Sequence, residues 1–330
     1  MLTPLTRFRY SVDSFLGRQM LYLLARVVPH LTRETALELG RAMGWLAPRL
    51  TPHRLYRVYR DITLAFGGAL PPRARLRVAL DVYHHLGISL IEFLRLPDMR
   101  HEEIRALVRI EGAEHLDAAL AAGRGAVLLT GHIGNWEMGG TALAVLGYPM
   151  TAIARPQENS TLNDLFLRIR EAHGMTIVPL SDVRACITTL RENRFLAILG
   201  DVNAKNPGAF VQFFGRPAAT YTGAAYLSLA TGAPLIPLFD ERLPDYTHHI
   251  RVYPPIAVSE TGDRRRDLLA TTMRAQYVIQ EEVRRRPHEW FWQLQRWKTR
   301  PEDTKHPERI PMQHRDLTPE EADEVLSCAS

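Results

Sequence analysis

Between about residues 105 and 260, short apolar runs alternate with longer stretches in which apolar residues recur every three or four positions. Gly125 opens the apolar, partly β-branched run Ala126-Val127-Leu128-Leu129-Thr130, the pattern of a strand buried on both faces. Trp136 to Leu146 has helical spacing, with Asn135 as its N-cap and Gly147 as its stop. The alternation continues with a strand from Met150 to Ala154 ended by Pro156, and a buried strand from Phe195 to Leu199. After these come a strand or hairpin over Phe210 to Pro217 and a helix that starts at Thr220 or Thr222, runs to about Thr231 and stops at Gly232 and Pro234. Leu235 to Phe239 is a further core strand. The pattern predicts an α/β fold with a mostly parallel or mixed central sheet flanked by helices.

The preceding hundred residues read as helical, with amphipathic stretches at Leu55 to Phe66 and Leu76 to Leu94 that pack on the α/β unit. The expected division is a helical region over 1–104, an α/β domain over 105–300 and a polar tail over 301–330. The tail carries a capping box at Thr318-Pro319-Glu320-Glu321 and is expected to be loosely attached.

His132 and Glu137 fall where the first strand meets its helix, in Gly131-His132-Ile133-Gly134-Asn135-Trp136-Glu137-Met138. Ligands of open α/β sheets bind at the carboxyl ends of strands, so a titratable pair there is a candidate site. On a continuous helix the two side chains would face apart. A loop that bends before the helix can bring them together, with Glu137 accepting the proton of one ring nitrogen and leaving the other as a base. A lone histidine in a Gly-rich loop is more often structural, and the spacing alone favours that reading. It does not suit zinc, and Gly131 with Gly134 does not make a dinucleotide fingerprint. Arg155 follows the second strand, where a forked guanidinium suits a phosphate or carboxylate or is simply solvated. Asp201 follows Phe195 to Leu199 and either reaches the same crevice or caps a turn.

The formal net charge of +5 comes mainly from arginine, including Arg264-Arg265-Arg266 and Arg284-Arg285-Arg286. Such runs meet anionic lipid, a phosphorylated substrate or an acidic carrier protein, or they are solvated helix faces. No nucleic-acid-binding motif accompanies them. Phe15 to Val28 is rich in Leu and Val but holds Arg18 and Arg26 and ends at Pro29, short of the roughly 20 apolar residues of a spanning helix. This segment, about 12–28, is either an interfacial helix with snorkelling arginines or an ordinary core-packing one. The arginines also break the pattern of a signal peptide. Two cysteines, Cys186 and Cys328, make no disulfide framework and suit a reducing cytosol.

The segment Gly131 to Glu137 resembles the H-x4-D/E block of the lysophospholipid acyltransferase superfamily, specifically its bacterial lipid A biosynthesis branch, the lauroyl/myristoyl acyltransferases. Three further blocks are similar to that branch and stand in the same order. They are Ala154-Arg155-Pro156 with Asn159 and a helix from Leu162 to His173; Gly200-Asp201 with Gly208 to Ala218 and Thr220; and His288-Glu289-Trp290-Phe291-Trp292-Gln293-Leu294-Gln295-Arg296-Trp297-Lys298. A Phe-Pro-Glu-Gly-Thr-Arg type block, usual in glycerolipid acyltransferases, is missing from the sequence, which favours the lipid A branch.

The resemblance implies a glycerolipid acyltransferase-like fold and transfer of a fatty acyl group from a thioester, on acyl carrier protein or CoA, to a hydroxyl of a lipid A precursor or related glycolipid. No acyl-enzyme, cofactor or metal is implied. His132 would be the general base and Glu137 its orienting carboxylate. Arg155, Asn159, Asp201, Arg216 and Thr220 would bind substrate, and the backbone N–H groups of the Gly134 to Trp136 loop, those of Gly134 and Asn135 first, would meet the oxyanion with Arg155. The expected setting is lipopolysaccharide synthesis at the cytoplasmic face of the inner membrane, with peripheral or monotopic attachment to an anionic surface and no nucleic-acid partner. A lysophospholipid or other glycolipid acceptor is the alternative. A non-catalytic lipid-binding protein of the same fold is disfavoured, because binding needs no poised base. The block from Trp290 to Trp297 is predicted to be a short helix packing its tryptophans on the catalytic unit or at the membrane interface.

Overall fold

The structure, a computed structural model, describes residues 4–205, 208–259 and 261–303. Its first elements are helical: α1 (Pro4–Val27), α2 (Arg33–Leu50), α3 (Pro52–Phe66), α4 (Pro72–Arg95) and α5 (His101–Leu107). Alternation then begins with β1 (Val108–Glu111), α6 (Ala113–Ala121), β2 (Ala126–Thr130), α7 (Trp136–Val145), β3 (Met150–Ala154), α8 (Ser160–Glu171), β4 (Thr176–Pro179), α9 (Val183–Arg191) and β5 (Phe195–Leu199). The chain continues through β6 (Ala209–Phe213), β7 (Arg216–Thr220), α10 (Gly223–Thr231), β8 (Leu235–Arg242), β9 (His248–Val252) and α11 (Arg264–Arg285). The capping box at Thr318 and Cys328 lie outside the described residues.

Seven strands form one sheet in the order β1-β9-β8-β2-β5-β3-β4. Its neighbours are parallel except β8 and β9, so this is the mostly parallel, helix-flanked α/β sheet expected from the alternation. Side chains alternate between two layers. Leu128, Phe195 and Leu238 pack with α7 and α8 on one face, and Leu129, Leu196 and Phe239 pack with α9, α10 and α11 on the other. The N-terminal helices share these cores: Ile91 and Leu94 of α4 join the first layer, and Val58 and Ile62 of α3 join the second. Gly87 of α4 lies so close to α2 that a Cβ there would sit 2.3 Å from the Gly40 carbonyl.

Phe210 to Pro217 is resolved into a hairpin, β6 and β7, which turns at Phe214 and Gly215, both with positive φ. Thr220 ends β7 and does not start the next helix, which begins at Gly223 and stops at Gly232 in the left-handed conformation. The aromatic block does not form the predicted continuous helix. Two short 3-10 turns, Pro287–Glu289 and Trp292–Leu294, flank Trp290, which forms an antiparallel bridge with Ile133. Both Trp290 and Trp292 are buried in the second layer.

Candidate active site

β2, β5 and β3 are parallel neighbours, so the residues that follow them share one edge of the sheet. Backbone hydrogen bonds tie the loop after β2 to the C-terminal aromatic block. Phe291 N–H donates to the His132 carbonyl at 2.9 Å, and Gly134 N–H donates to the Glu289 carbonyl at 3.2 Å. Gly134 has φ +64, and a Cβ there would lie 1.9 Å from the Asp240 carbonyl, so no other residue fits without backbone movement. Asn135 then caps α7, its side-chain oxygen accepting from Met138 N–H.

His132 finds its carboxylate across the sheet. Its ring Nδ1 donates to Asp201 Oδ1 at 2.9 Å, and its backbone N–H donates to Asp201 Oδ2 at 2.7 Å. Trp290 Nε1–H donates to the same Oδ2 at 2.8 Å. Burial opposes ionisation of Asp201, but the charge and hydrogen bonds of His132 and the Trp290 indole together hold its carboxyl below the usual carboxylate range. With Nδ1 committed to Asp201, Nε2 is the nitrogen that retains a lone pair. The ring lies edge-on to Trp136 at 4.8 Å and near Phe291 at 6.1 Å.

Glu137 therefore does not occupy the position that the sequence spacing suggested. From the first turn of α7 it faces α8, where Arg170 donates through Nε at 3.0 Å and Nη2 at 2.6 Å, and the Trp136 indole adds a bond of 3.2 Å. A forked guanidinium matches both carboxylate oxygens, which fixes Glu137 there. Burial would lower the pKa of Arg170, but the charge of Glu137 and its hydrogen bonds together raise it.

The loop rests on a buried polar network that the sequence did not reveal. Asp240 Oδ2 accepts from Asn135 N–H at 2.8 Å, and Glu92 Oε2 accepts from Asn135 Nδ2 at 2.8 Å. Arg242 pairs with Glu92 and donates to His85 Nδ1, so His85 Nε2–H donates to the Gly134 carbonyl at 2.9 Å. Burial and Arg242 hold His85 well below its ordinary pKa and hence neutral. His248 lies between Asp240 at 2.9 Å and Glu92 at 3.4 Å; burial would lower its pKa, but the two carboxylates push it up to about 10. One consequence is a correction: the N–H groups of Gly134 and Asn135 already donate to Glu289 and Asp240, which removes both as oxyanion donors.

A cavity of about 480 Å³ opens beside His132, lined also by Trp136, Glu137, Arg155 and Arg170 and otherwise mainly by apolar side chains. Arg155 is exposed at its rim, directly after β3. Other residues implied by the resemblance lie elsewhere. Asn159 caps α8 by accepting from Leu162 N–H at 2.9 Å and also accepts from the Tyr22 hydroxyl at 3.1 Å. Arg216 is exposed on β7 and donates to the Leu64 carbonyl at 3.2 Å. Thr220 is fully buried and accepts from Arg296 Nη2 at 2.6 Å. None of the three lines the cavity. Arg296 also donates to Gln276, which donates to the Gly200 carbonyl at 2.8 Å and so ties the C-terminal block to the residue before Asp201.

Residues 5–299 match the family model described as bacterial lipid A biosynthesis acyltransferase. The chain belongs to this family. Among curated relatives, the lipid A biosynthesis lauroyltransferase of Escherichia coli K12 is 26% identical over 74% of this chain and 79% of its own length. The lipid A biosynthesis palmitoleoyltransferase of the same strain is 25% identical over 69% of the chain and 73% of its own. A phosphatidylinositol mannoside acyltransferase of Mycobacterium tuberculosis CDC 1551 is 39% identical, but over 44% of this chain and 48% of its own length. The chain thus spans about half the length of the mycobacterial relatives it matches. Within the lipid A acyltransferase family, Asp201 and Trp290 lie in two of the blocks legible in this sequence, but their meeting with His132 could be read only from the strand order.

Proposed function

We propose that this protein transfers a fatty acyl group from a thioester donor, acyl carrier protein or CoA, to a hydroxyl of a glycolipid, with His132 as general base. The single observation that carries this reading is the pairing of His132 Nδ1 with the buried Asp201 while the ring borders a cavity of about 480 Å³ with mainly apolar walls. The acceptor hydroxyl loses its proton to Nε2 as its oxygen attacks the thioester carbonyl. Asp201 stabilises the imidazolium that results. The tetrahedral intermediate then expels the thiolate, which takes the proton from Nε2, and the ester is released. Of the expected oxyanion donors Arg155 and the Trp136 N–H remain, and the first-turn N–H of Glu137, which like that of Trp136 has no intrahelical acceptor, joins them.

A lipid A precursor is the acceptor favoured by the matched family and by the printed activities of the E. coli relatives. The higher identity to the mycobacterial enzymes over the shorter stretch supports a second reading, a mannosylated phosphatidylinositol. Peripheral membrane attachment, at the cytoplasmic face, is part of the same proposal. Met20, Leu23 and Val27 are exposed on one side of α1 beside Arg26, as are Trp45, Leu46 and Leu50 on α2 beside Arg49. Among the described residues no helix is long and apolar enough to cross a membrane.

The test is transfer of labelled palmitoyl and lauroyl groups, from CoA and from acyl carrier protein, to lipid A precursors and to phosphatidylinositol mannosides by the full chain. Label in a lipid with wild type and none with His132→Ala is the expected result. Label recovered only as free fatty acid would instead make the protein a thioesterase, and equal transfer by His132→Ala would remove the general base.

A further inference from the structure

Arg296 is a fully buried guanidinium whose acceptors are all neutral. Its Nη1 donates to the Ala219 carbonyl at 2.6 Å and lies 3.5 Å from the Val202 carbonyl, while Nη2 donates to the Thr220 hydroxyl at 2.6 Å and to Gln276 Oε1 at 2.9 Å. Among the described residues it pairs with no carboxylate, and its Nε has no acceptor. Burial brings its pKa down to about 10, and the charge that opposes this is that of Asp201. An apolar side chain would fill the same space without the desolvation of a charge, so packing alone does not account for an arginine here.

The guanidinium grips the loop after β5 on both sides of Asp201. Before it, Gly200 N–H donates to the Thr130 carbonyl at 2.8 Å, and the Gly200 carbonyl accepts from Gln276 Nε2 at 2.8 Å. Arginine can only donate, so it holds the Gln276 oxygen towards itself and leaves the N–H₂ group for Gly200. After Asp201, the Val202 carbonyl faces Nη1, and Ala204 N–H donates at 3.1 Å to the Ala219 carbonyl that Arg296 also engages. Between these points Asp201 serves three donors with two oxygens: His132 Nδ1 at 2.9 Å, His132 N–H at 2.7 Å and the Trp290 indole at 2.8 Å. A misplacement of about 1 Å arising away from the chemistry costs on the order of a hundredfold in rate.

We propose that Arg296 is a positioning residue, which through Gln276 to Gly200 and through the Val202 carbonyl fixes the loop so that Asp201 meets His132 before substrate arrives. The planar fork suits this task, because its two terminal nitrogens span β7, α11 and the loop together. An ammonium presents its donors from a single nitrogen and cannot reach all three.

The kinetic arm of the test rests on the acyl-transfer reading, whereas the downfield proton NMR signal of His132 Nδ1–H is read in the protein without substrate. Both are measured, with melting temperature, on the full chain and its variants Arg296→Met, Arg296→Lys and Gln276→Met. Val58→Ala, a core truncation on α3, shows how far loss of stability alone lowers kcat. Arg296→Met is expected to reduce kcat roughly a hundredfold with donor KM within about threefold, and to shift or broaden the Nδ1–H signal. Arg296→Lys and Gln276→Met are expected to lose about tenfold each with the same spectral change, and they carry the test if Arg296→Met does not fold. An unmoved signal with kcat falling only as far as melting temperature predicts from Val58→Ala would overturn the proposal, as would an effect confined to KM. A shifted signal in a protein whose wild type transfers no acyl group would overturn the acyl-transfer reading and leave the positioning role standing.

Discussion

Asp201 holds His132 at two points, the ring Nδ1 at 2.9 Å and the backbone N–H at 2.7 Å. One carboxylate therefore sets both the tautomer of the base and the path of the loop that carries it. Asparagine at position 201 offers one acceptor oxygen and one N–H₂ group, so it cannot accept both bonds. Asp201→Asn is expected to lower kcat by about a hundredfold to ten-thousandfold. The downfield proton NMR signal of Nδ1–H should disappear with it. Glu137→Gln lowers activity by freeing Arg170 but keeps that signal. A signal lost in Glu137→Gln and kept in Asp201→Asn would return the orienting role to Glu137.

Trp290 makes the third bond to Asp201, from Nε1–H at 2.8 Å, and does so from a fully buried ring. Phenylalanine retains most of the apolar surface and deletes only the donor. A hydrogen bond to a charged group contributes about 1.5–3 kcal/mol, so Trp290→Phe is expected to reduce kcat roughly tenfold to a hundredfold with a small change in KM. The Asp201 pKa rises in the variant, which carries the acidic limb of the rate profile upward. Unchanged kcat across the pH range would show that the indole only fills space.

What could be read along the chain, and what could not, follows from the range over which each interaction acts. β2, β3, β5 and β8 are apolar runs bounded by Gly or Pro, and a buried parallel strand needs little else. β9 was missed because His248-His249 contradicts that pattern, and the reason for a histidine in the sheet is the carboxylate pair Asp240 and Glu92, which come from β8 and α4. The four-residue strands β1 and β4, half-exposed, were too short to signal. Asp201 could be placed at a strand end, but its partner could not, since β3 and β4 intervene in sequence between strands that are adjacent in space. Glu137 was matched to His132 because they are close along the chain, and the competing Arg170 is 33 residues away.

His248 makes stability depend on pH on the alkaline side. Its folded pKa is raised from 6.5 to about 10, so the proton it binds stabilises the fold fully below the unfolded value and ceases to do so as pH rises through about 10. Melting temperature is therefore expected to fall between pH 7 and 10, by an amount on the order of a few kcal/mol in free energy for a shift of this size. His248→Gln should be less stable at pH 7 and should show a flatter profile over the same interval. A wild-type melting curve independent of pH from 7 to 10 would show that Asp240 and Glu92 do not hold a proton on the ring.

Asn159 and Arg216 separate the substrate-binding role implied by family resemblance from the one allowed by position. Asn159 caps α8 and accepts from Tyr22, and Arg216 is exposed on β7 against the Leu64 carbonyl, with neither lining the cavity beside His132. Loss of an N-cap costs about 1 kcal/mol. Asn159→Ala is thus expected to lower the melting temperature by a few degrees while KM for the acyl donor stays within about twofold, since a change of a few tenths of a kcal/mol is all that a distant cap transmits. Arg216→Ala should leave both stability and donor KM near wild type, because a solvated side chain with one backbone partner contributes little. Arg155→Ala, at the cavity rim directly after β3, is expected to raise donor KM and lower kcat. The same assay on the three variants decides the matter: a large KM effect at Asn159 or Arg216 with none at Arg155 would mean that the substrate lies along the hairpin and α8 instead of in the cavity beside His132.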